Sequence, residues 1–272
     1  MPIPDAQGDP TVLGMAQDPT KVIVGLDSSD ESKDALALGQ ILARALRGEL
    51  IIAESLDSPA SGLRELAESE EAELLVVGST HRGKLGQVFP GSVGERLLRG
   101  APCAVAVASR GFRTKEPVST IGVAYNGSPA SDRGLSAAIA LARRLGAALR
   151  VVSVGTRLGP LGSLMDDPDE ARARTELRLH RGLDQVPSDV ACEGVALEGD
   201  APAELAAQSR SLDLLVVGSR GYGPVRGALL GNVSSELIRR AECPVLVVPR
   251  NGLRAIPHAG TAPAAEPQGA TT

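Results

Sequence analysis

The chain alternates between short unbroken apolar runs and longer stretches in which apolar residues recur every three or four positions. Lys21-Val22-Ile23-Val24-Gly25-Leu26 is a run of strand length that stops at the turn Asp27-Ser28-Ser29, the pattern of a strand buried on both faces. Leu36, Leu38, Ile41, Leu42 and Leu46 then mark one side of a helix. A strand over 49–53, a helix over 61–69, a strand at Leu74–Val77, a helix after Gly91 and a last strand over 104–108 follow. The order restarts at Thr120-Ile121-Gly122-Val123-Ala124-Tyr125, with the turn Asn126-Gly127-Ser128 and a helix through Leu135 to Leu145. It continues as strand 149–154, helix 168–184, strand 191–197, helix 202–210, strand 213–217, helix 232–240 and strand 244–248. Strands that alternate with helices, without hairpin signals, predict parallel sheets covered on both faces.

The second series repeats the first. Leu74-Leu75-Val76-Val77-Gly78-Ser79 returns as Leu214-Leu215-Val216-Val217-Gly218-Ser219, and Gly91 and Cys103 return as Gly231 and Cys243, each 140 positions on. Such fixed landmarks mark an internal duplication. The opening strands are only 99 positions apart, so the first copy is shorter by 41 residues and lacks one strand–helix unit. The expected fold is α/β: two tandem doubly wound parallel-sheet domains over 20–109 and 118–250, four strands in the first and five in the second. The Pro-, Gly- and Ala-rich ends, 1–19 and 251–272, are expected to be disordered.

Composition narrows the function. Of 272 residues two are Tyr, two Phe and none Trp, and the net charge is −5. Aromatic platforms and a basic face are what nucleic-acid binding needs, so that class is excluded. Three scattered cysteines, Cys103, Cys192 and Cys243, suit neither a disulfide framework nor a zinc site. Cys103 and Cys243 read as buried thiols. No signal segment opens the chain and no apolar run reaches membrane-spanning length, so the expectation is a cytoplasmic protein without membrane contact.

The chemistry lies in the loop after each repeated strand. In the second copy Gly218-x-x-Gly221 is followed, nine residues later, by Gly231-Asn232-Val233-Ser234. Gly218 ends a strand where a side chain is expected to block close approach of a ligand, while Gly221 and Gly223 permit an anion-binding nest of amides. Asn232 is placed at the N-cap of the next helix, whose amides and dipole face the same space. In the first copy Ser92-Val93-Gly94-Glu95 reads as a capping box. A glycine pattern that appears once would mean only turns and caps; the strand before, the helix after and the repetition favour phosphate. Ligands of open parallel sheets sit beyond the strand carboxyl ends, which sets Asp27 and Asn126 opposite the loops. Arg220 and Arg226 are candidates to screen phosphate charge. His81 has no positioned carboxylate and reads as a solvent-exposed loop residue rather than a catalytic acid.

These residues resemble the universal stress proteins of the tandem, ATP-binding type, with the signature G-x-x-G-x9-G-[ST]. The likeness covers about 20–109 and 118–250. It implies the strand order 3-2-1-4-5, a role in stress or dormancy, and ATP or another adenine nucleotide as ligand, with Mg2+ as its accompanying ion. Carried over by motif, the main site comprises Asn126, Val154, Gly218, Ser219, Arg220, Gly221, Gly223, Gly231, Asn232, Val233 and Ser234. A weaker first-copy site comprises Gly25, Asp27, Gly78, Ser79, Gly91, Ser92 and Val93. Family members pair through their last strands, which here implies pairing of the two copies within the chain, with a homodimer as a further option. Each copy departs from the pattern. The first has His81 at the second loop glycine and lacks the unit that in the family walls the adenine. The second has Ala124, Asn126 and Asn232 for the family's Gly, Asp and Ser or Thr.

Three functions compete. The first is a regulatory module with ATP as ligand and no enzymatic activity beyond slow incidental hydrolysis. The second is a dimerisation protein of the same fold that has lost the nucleotide. The third, an adenylyl-transfer enzyme, needs a loop S-G-G-x-D-S after the first strand, of which Gly25-Leu26-Asp27-Ser28 matches only the second half.

Overall fold

A computed structural model describes residues 19–54, 56–80, 84–112, 117–155, 167–219 and 232–253. Nearly all of both terminal segments lies outside them. The N-terminal half runs β1 (Lys21–Leu26), α1 (Glu31–Leu46), β2 (Glu49–Glu54), α2 (Pro59–Ser69), β3 (Leu74–Val77), α3 (Gly91–Gly100) and β4 (Ala104–Val107). The C-terminal half runs β5 (Thr120–Ala124), α4 (Pro129–Leu145), β6 (Ala148–Gly155), α5 (Pro168–Leu183), β7 (Cys192–Glu198), α6 (Ala201–Ser209), β8 (Leu214–Gly218), α7 (Asn232–Ile238) and β9 (Val245–Val248).

The nine strands of the described residues join one sheet, in the order β2-β1-β3-β4-β9-β8-β5-β6-β7. The C-terminal half has the order 3-2-1-4-5, and the N-terminal half has the same order without its outermost strand. Every neighbouring pair is parallel except β4 and β9, which run antiparallel with Val105 opposite Val247, Ala106 opposite Leu246 and Val107 opposite Val245. Further contacts between the halves border the seam. Arg239 pairs with Glu95 at 2.7 Å, Val88 N donates to Ala241 O at 2.8 Å, and Arg144 Nη1 donates to Ala45 O at 3.0 Å.

Strand alternation sorts the side chains into two cores. Val22, Val24, Leu74 and Val76 face α1, α4 and α5 with Leu38, Leu135 and Leu179. Ile23, Leu75 and Val77 face the layer of α2, α3, α6 and α7 with Leu63, Leu97, Leu205 and Leu237. Aliphatic residues fill both, as the scarcity of aromatics requires. Cys103 and Cys243 are buried in the second core; Cys192 is exposed on β7.

The shortfall can be located. α2 and α6 end at Ser69 and Ser209, 140 positions apart, so they are counterparts. The unit without a counterpart is α5 with β7. Its absence makes β2 an edge strand and leaves Ile52 49% exposed, whereas β6 is covered by both β7 and α5.

Helix ends follow local chemistry. α1 closes on Arg47 in the left-handed region and α4 on Gly146 at φ 67°. Ser128, Asp167 and Asp200 cap α4, α5 and α6 through their side chains. The capping box read at Ser92 is not formed. Gly91, at φ 61°, already begins α3 and Pro90 takes the cap position, so Ser92 lies inside the helix where a cap residue cannot be. α7 likewise begins on Asn232 itself and ends at Ile238, before the expected 240.

Tyr125, just past β5, ties α4 to the turn that follows α5. Its hydroxyl donates to Asp132 Oδ1 at 2.9 Å and accepts from Gln185 Nε2 at 2.9 Å. Burial pushes the phenol above its ordinary value of 10.0, and the hydrogen bond and charge of Asp132 add to the rise. Tyr125→Phe is expected to cost about 1 kcal/mol of unfolding free energy in urea titration. Because the folded value is the raised one, the wild-type advantage is full below pH 10 and disappears as pH climbs through that raised value.

Candidate functional site

All seven residues read as the first-copy site meet in one cleft of about 640 Å³ beyond the carboxyl ends of β1 and β3. β1 and its turn bring Gly25 and Asp27; β3 and its loop bring Gly78, Ser79 and Thr80; α3 brings Gly91, Ser92 and Val93. β1 is paired with β2 on one side and β3 on the other, and successive connections leave it in opposite directions. This is the topological switch point at which an open parallel sheet leaves a crevice.

The floor of the cleft is the first turn of α3. Ten residues long, α3 starts without a side-chain cap, and its first four residues all line the cavity. Amides of a helix N-terminus with their partial positive charge therefore face the space. Gly91 is needed twice over: its φ is positive, and an added Cβ would lie 2.3 Å from Thr80 Cγ2. The Thr80 hydroxyl is buried and makes no hydrogen bond, an unspent polar group at the cleft wall.

The polar groups have distinct tasks. Asp27 Oδ1 accepts from Ser29 N at 2.9 Å and from the Ser29 hydroxyl, which closes the turn after β1. Ser79 is a latch instead: its hydroxyl donates to Ala108 O at 2.7 Å and accepts from Phe89 N at 3.0 Å. Its one donor proton is therefore spent within the fold. Glu31 and Glu54 stand at the rim, and Ala53, Leu56 and Leu63 form an apolar wall. Sequence reading missed these five and Thr80. Leu56 and Leu63 could have been found from their place directly after β2, but Glu31 belongs to a helix surface and carries no signal of its own.

The glycines at the strand ends have a different cause from the one expected. A Cβ on Gly218 would lie 2.0 Å from Ala130 O, and one on Gly78 would lie 2.5 Å from Glu31 O. The side-chain direction is filled by the first turn of α4 or α1, not by ligand space. These glycines are required because helix backbone touches strand backbone.

The second-copy site is described in part. Asn126 Oδ1 accepts from Ser128 N at 3.1 Å, so Asn keeps the turn that Asp27 makes in the first copy. Val154 is buried near the end of β6; Ser219 and Ser234 are buried, while Gly218 and Val233 are partly exposed. Arg220, Gly221, Gly223, Arg226 and Gly231 lie outside the described residues, as does the side chain of Asn232; His81 does too. Among the described residues no group of three or more His, Cys, Asp or Glu is placed to hold a metal ion, and no helix is long and apolar enough to cross a membrane.

The sequence model of the universal stress protein family matches residues 53–109 and again 117–249. The chain belongs to the universal stress protein family. Its two matches make it a tandem member. Universal stress protein Rv2005c of Mycobacterium tuberculosis is 31% identical over 233 residues, covering 82% of this chain and 78% of that protein. Universal stress protein Rv2319c of the same organism is 31% identical over 206 residues, covering 71% and 69%. Among solved structures, a functionally unknown protein from Pseudomonas aeruginosa superposes with a TM-score of 0.62 at 18% identity, covering 85% of this chain and 92% of that one. A universal stress protein from Archaeoglobus fulgidus superposes at 0.55 with 17% identity, covering 85% and 96%. At such identities the structures speak for the fold alone. The first family match begins inside β2, so β1 and α1 are assigned to the repeat by the sheet rather than by family sequence.

Proposed function

We propose that this universal stress protein binds an adenine nucleotide, ATP in the first instance, as a regulatory ligand in a cytoplasmic stress response. The observation that carries the reading is the cleft at the switch point of the N-terminal half. It sets the amides of an uncapped helix, a left-handed glycine and an unspent threonine hydroxyl around one cavity. An apolar wall stands across from them for a base. Such a donor set fits a phosphorylated nucleoside. The C-terminal half repeats the turn after its first strand and carries the complete glycine spacing, Gly218, Gly221 and Gly231, and we assign the tighter ATP site to it. Mg2+ would accompany the phosphates there as their counter-ion. Nucleotide is read as ligand rather than substrate, in keeping with the family. The two halves act as a paired unit through β4 and β9.

Mass spectrometry of the purified protein tests the reading, with adenine nucleotide expected to co-purify. Gly221→Asp would put an anion into the loop, and calorimetry is expected to show ATP affinity falling at least tenfold, about 1.4 kcal/mol. A protein free of nucleotide whose titration is flat with and without that change would instead favour a dimerisation role.

A further inference from the structure

The turn after the last strand is built twice, and the helix beside it carries opposite charge in the two halves. Phe112 N donates to Ser109 O at 3.1 Å and Gly252 N to Pro249 O at 3.0 Å, 140 positions apart, so Arg110 and Arg250 are counterparts. α1 and α4 match 99 positions apart. They close on the left-handed residues Arg47 and Gly146, and a Cβ on Gly78 or Gly218 would meet Glu31 O or Ala130 O in turn. In the N-terminal half acid holds the turn. Arg110 lies 3.4 Å from Glu31, and the buried Asp34 accepts from Gly111 N at 2.7 Å. The counterparts of Glu31 and Asp34 are Ala130 and Arg133. A methyl group and a second arginine thus stand where the first half has two carboxylates.

The exchange brings two like charges together. Burial disfavours the charge on Arg133, and the field of Arg250 disfavours it further, with Asp132 as a partial offset. Asp132 itself gives Oδ1 to the Tyr125 hydroxyl. Arg133 Nε is buried and makes no hydrogen bond, a donor that an incoming acceptor would satisfy. The pair also flanks the start of the C-terminal glycine loop. Gly134, next to Arg133, packs so closely that an added Cβ would lie 3.2 Å from Gly218 N. Val248, two residues before Arg250, accepts through its carbonyl from Ser219 N at 2.8 Å. Guanidinium groups bind phosphate through charge-assisted, bidentate hydrogen bonds. Two of them gain most from the part of a nucleotide with the most charge, its outer phosphates.

We infer that Arg133 and Arg250 form a clamp for the outer phosphates of the nucleotide at the C-terminal half, and so make that site prefer ATP to AMP. This rests on the adenine-nucleotide reading above and deepens it. Arg110 has the matching place in the N-terminal half, where it is engaged by Glu31.

Hydrogen exchange of the full-length protein, titrated separately with ATP and with AMP, reads the two halves apart. Peptides over 126–134 and 232–238 report the C-terminal site, and 25–32 reports the N-terminal cleft. Arg250→Ala removes an exposed cation, Arg133→Gln removes the second, and Ala130→Glu restores beside Arg250 the carboxylate that Glu31 gives Arg110. Each is expected to raise the ATP concentration for half-protection of the C-terminal peptides about tenfold. AMP should move by less than about twofold wherever it protects them, and 25–32 should respond as in wild type. In 1 M salt, where the Debye length is about 3 Å, most of the ATP loss should vanish. ATP protection unmoved by either arginine variant overturns the clamp, as does a wild-type protein that takes AMP as tightly as ATP. Equal weakening of both nucleotides, or a loss undiminished in 1 M salt, also overturns it, because a damaged fold gives that result. ATP that protects 25–32 alone overturns this inference and leaves the nucleotide reading standing. Protection by neither nucleotide anywhere overturns both.

Discussion

Val247→Pro is expected to part the two halves of the sheet. Val247 is buried, lies opposite Val105 on β4 and opposite Val217 on β8, and so sits in the middle of the seam. Proline removes its N–H from the ladder and sets a ring against the neighbouring strand, which confines proline to sheet edges and bulges. Leaving one buried backbone partner unsatisfied costs about 1–3 kcal/mol by itself, and the ring clash adds to it. The consequence is not only local. β4 and β9 are four-residue apolar strands, and separating them exposes two sheet edges of the kind soluble proteins avoid. The expected readout is a larger radius in solution scattering, or aggregation, together with a lower melting temperature. Val247→Ala is the control, because it keeps the N–H and removes only methyl groups. If alanine and proline lower stability equally, or if proline leaves the scattering profile as it was, the ladder does not hold the halves together. The flanking Arg239–Glu95 pair, which is largely exposed, would not compensate.

The second large effect is expected from a single methyl group. Gly218→Ala places a Cβ 2.0 Å from Ala130 O and 2.4 Å from its carbonyl carbon. Both are backbone atoms in the first turn of α4, so relief requires the helix to move rather than a side chain to rotate. Overpacking of this kind costs about 1–3 kcal/mol. Displacing that turn also disturbs the neighbouring Asn126–Ser128 turn, so ATP affinity should fall with stability. Gly146→Ala is the comparison: its φ is 67°, but nothing lies within 4 Å of the added atom. Its cost should stay near the roughly 1 kcal/mol of a left-handed non-glycine residue. Urea titration separates the two. A Gly218→Ala protein within about 0.5 kcal/mol of wild type, inside the range of harmless surface changes, would show that strand and helix are not held in backbone contact.

Much of this architecture is written in short-range pattern. Each of the four- to six-residue aliphatic runs at Val22, Leu74, Ile121 and Leu214 became a buried parallel strand, because such a run has one stable environment whatever its neighbours are. The duplication, the missing α5–β7 unit and the first-copy residues that gather at the cleft all follow from landmarks on those runs. Side chains at strand ends and helix starts point to the same end of a parallel sheet, so Asp27, Gly78 and Gly91 had to converge once the topology was set.

What tertiary structure decided lies where the cause sits far along the chain. Gly78 and Gly218 read as ligand-facing glycines, yet their missing side chains make room for Glu31 and Ala130, more than forty positions away. Ser92 matched a capping box, but Gly91 could take a left-handed φ beside Thr80 and the helix began before it. Glu31 and Glu54 carry no motif, since a carboxylate on a helix or an edge strand is ordinary until another segment closes a cavity against it. Local pattern chose the elements because backbone hydrogen bonding and apolar period act within a few residues. The role of single groups was set by contacts that exist only after β1, β3 and α3 have come together.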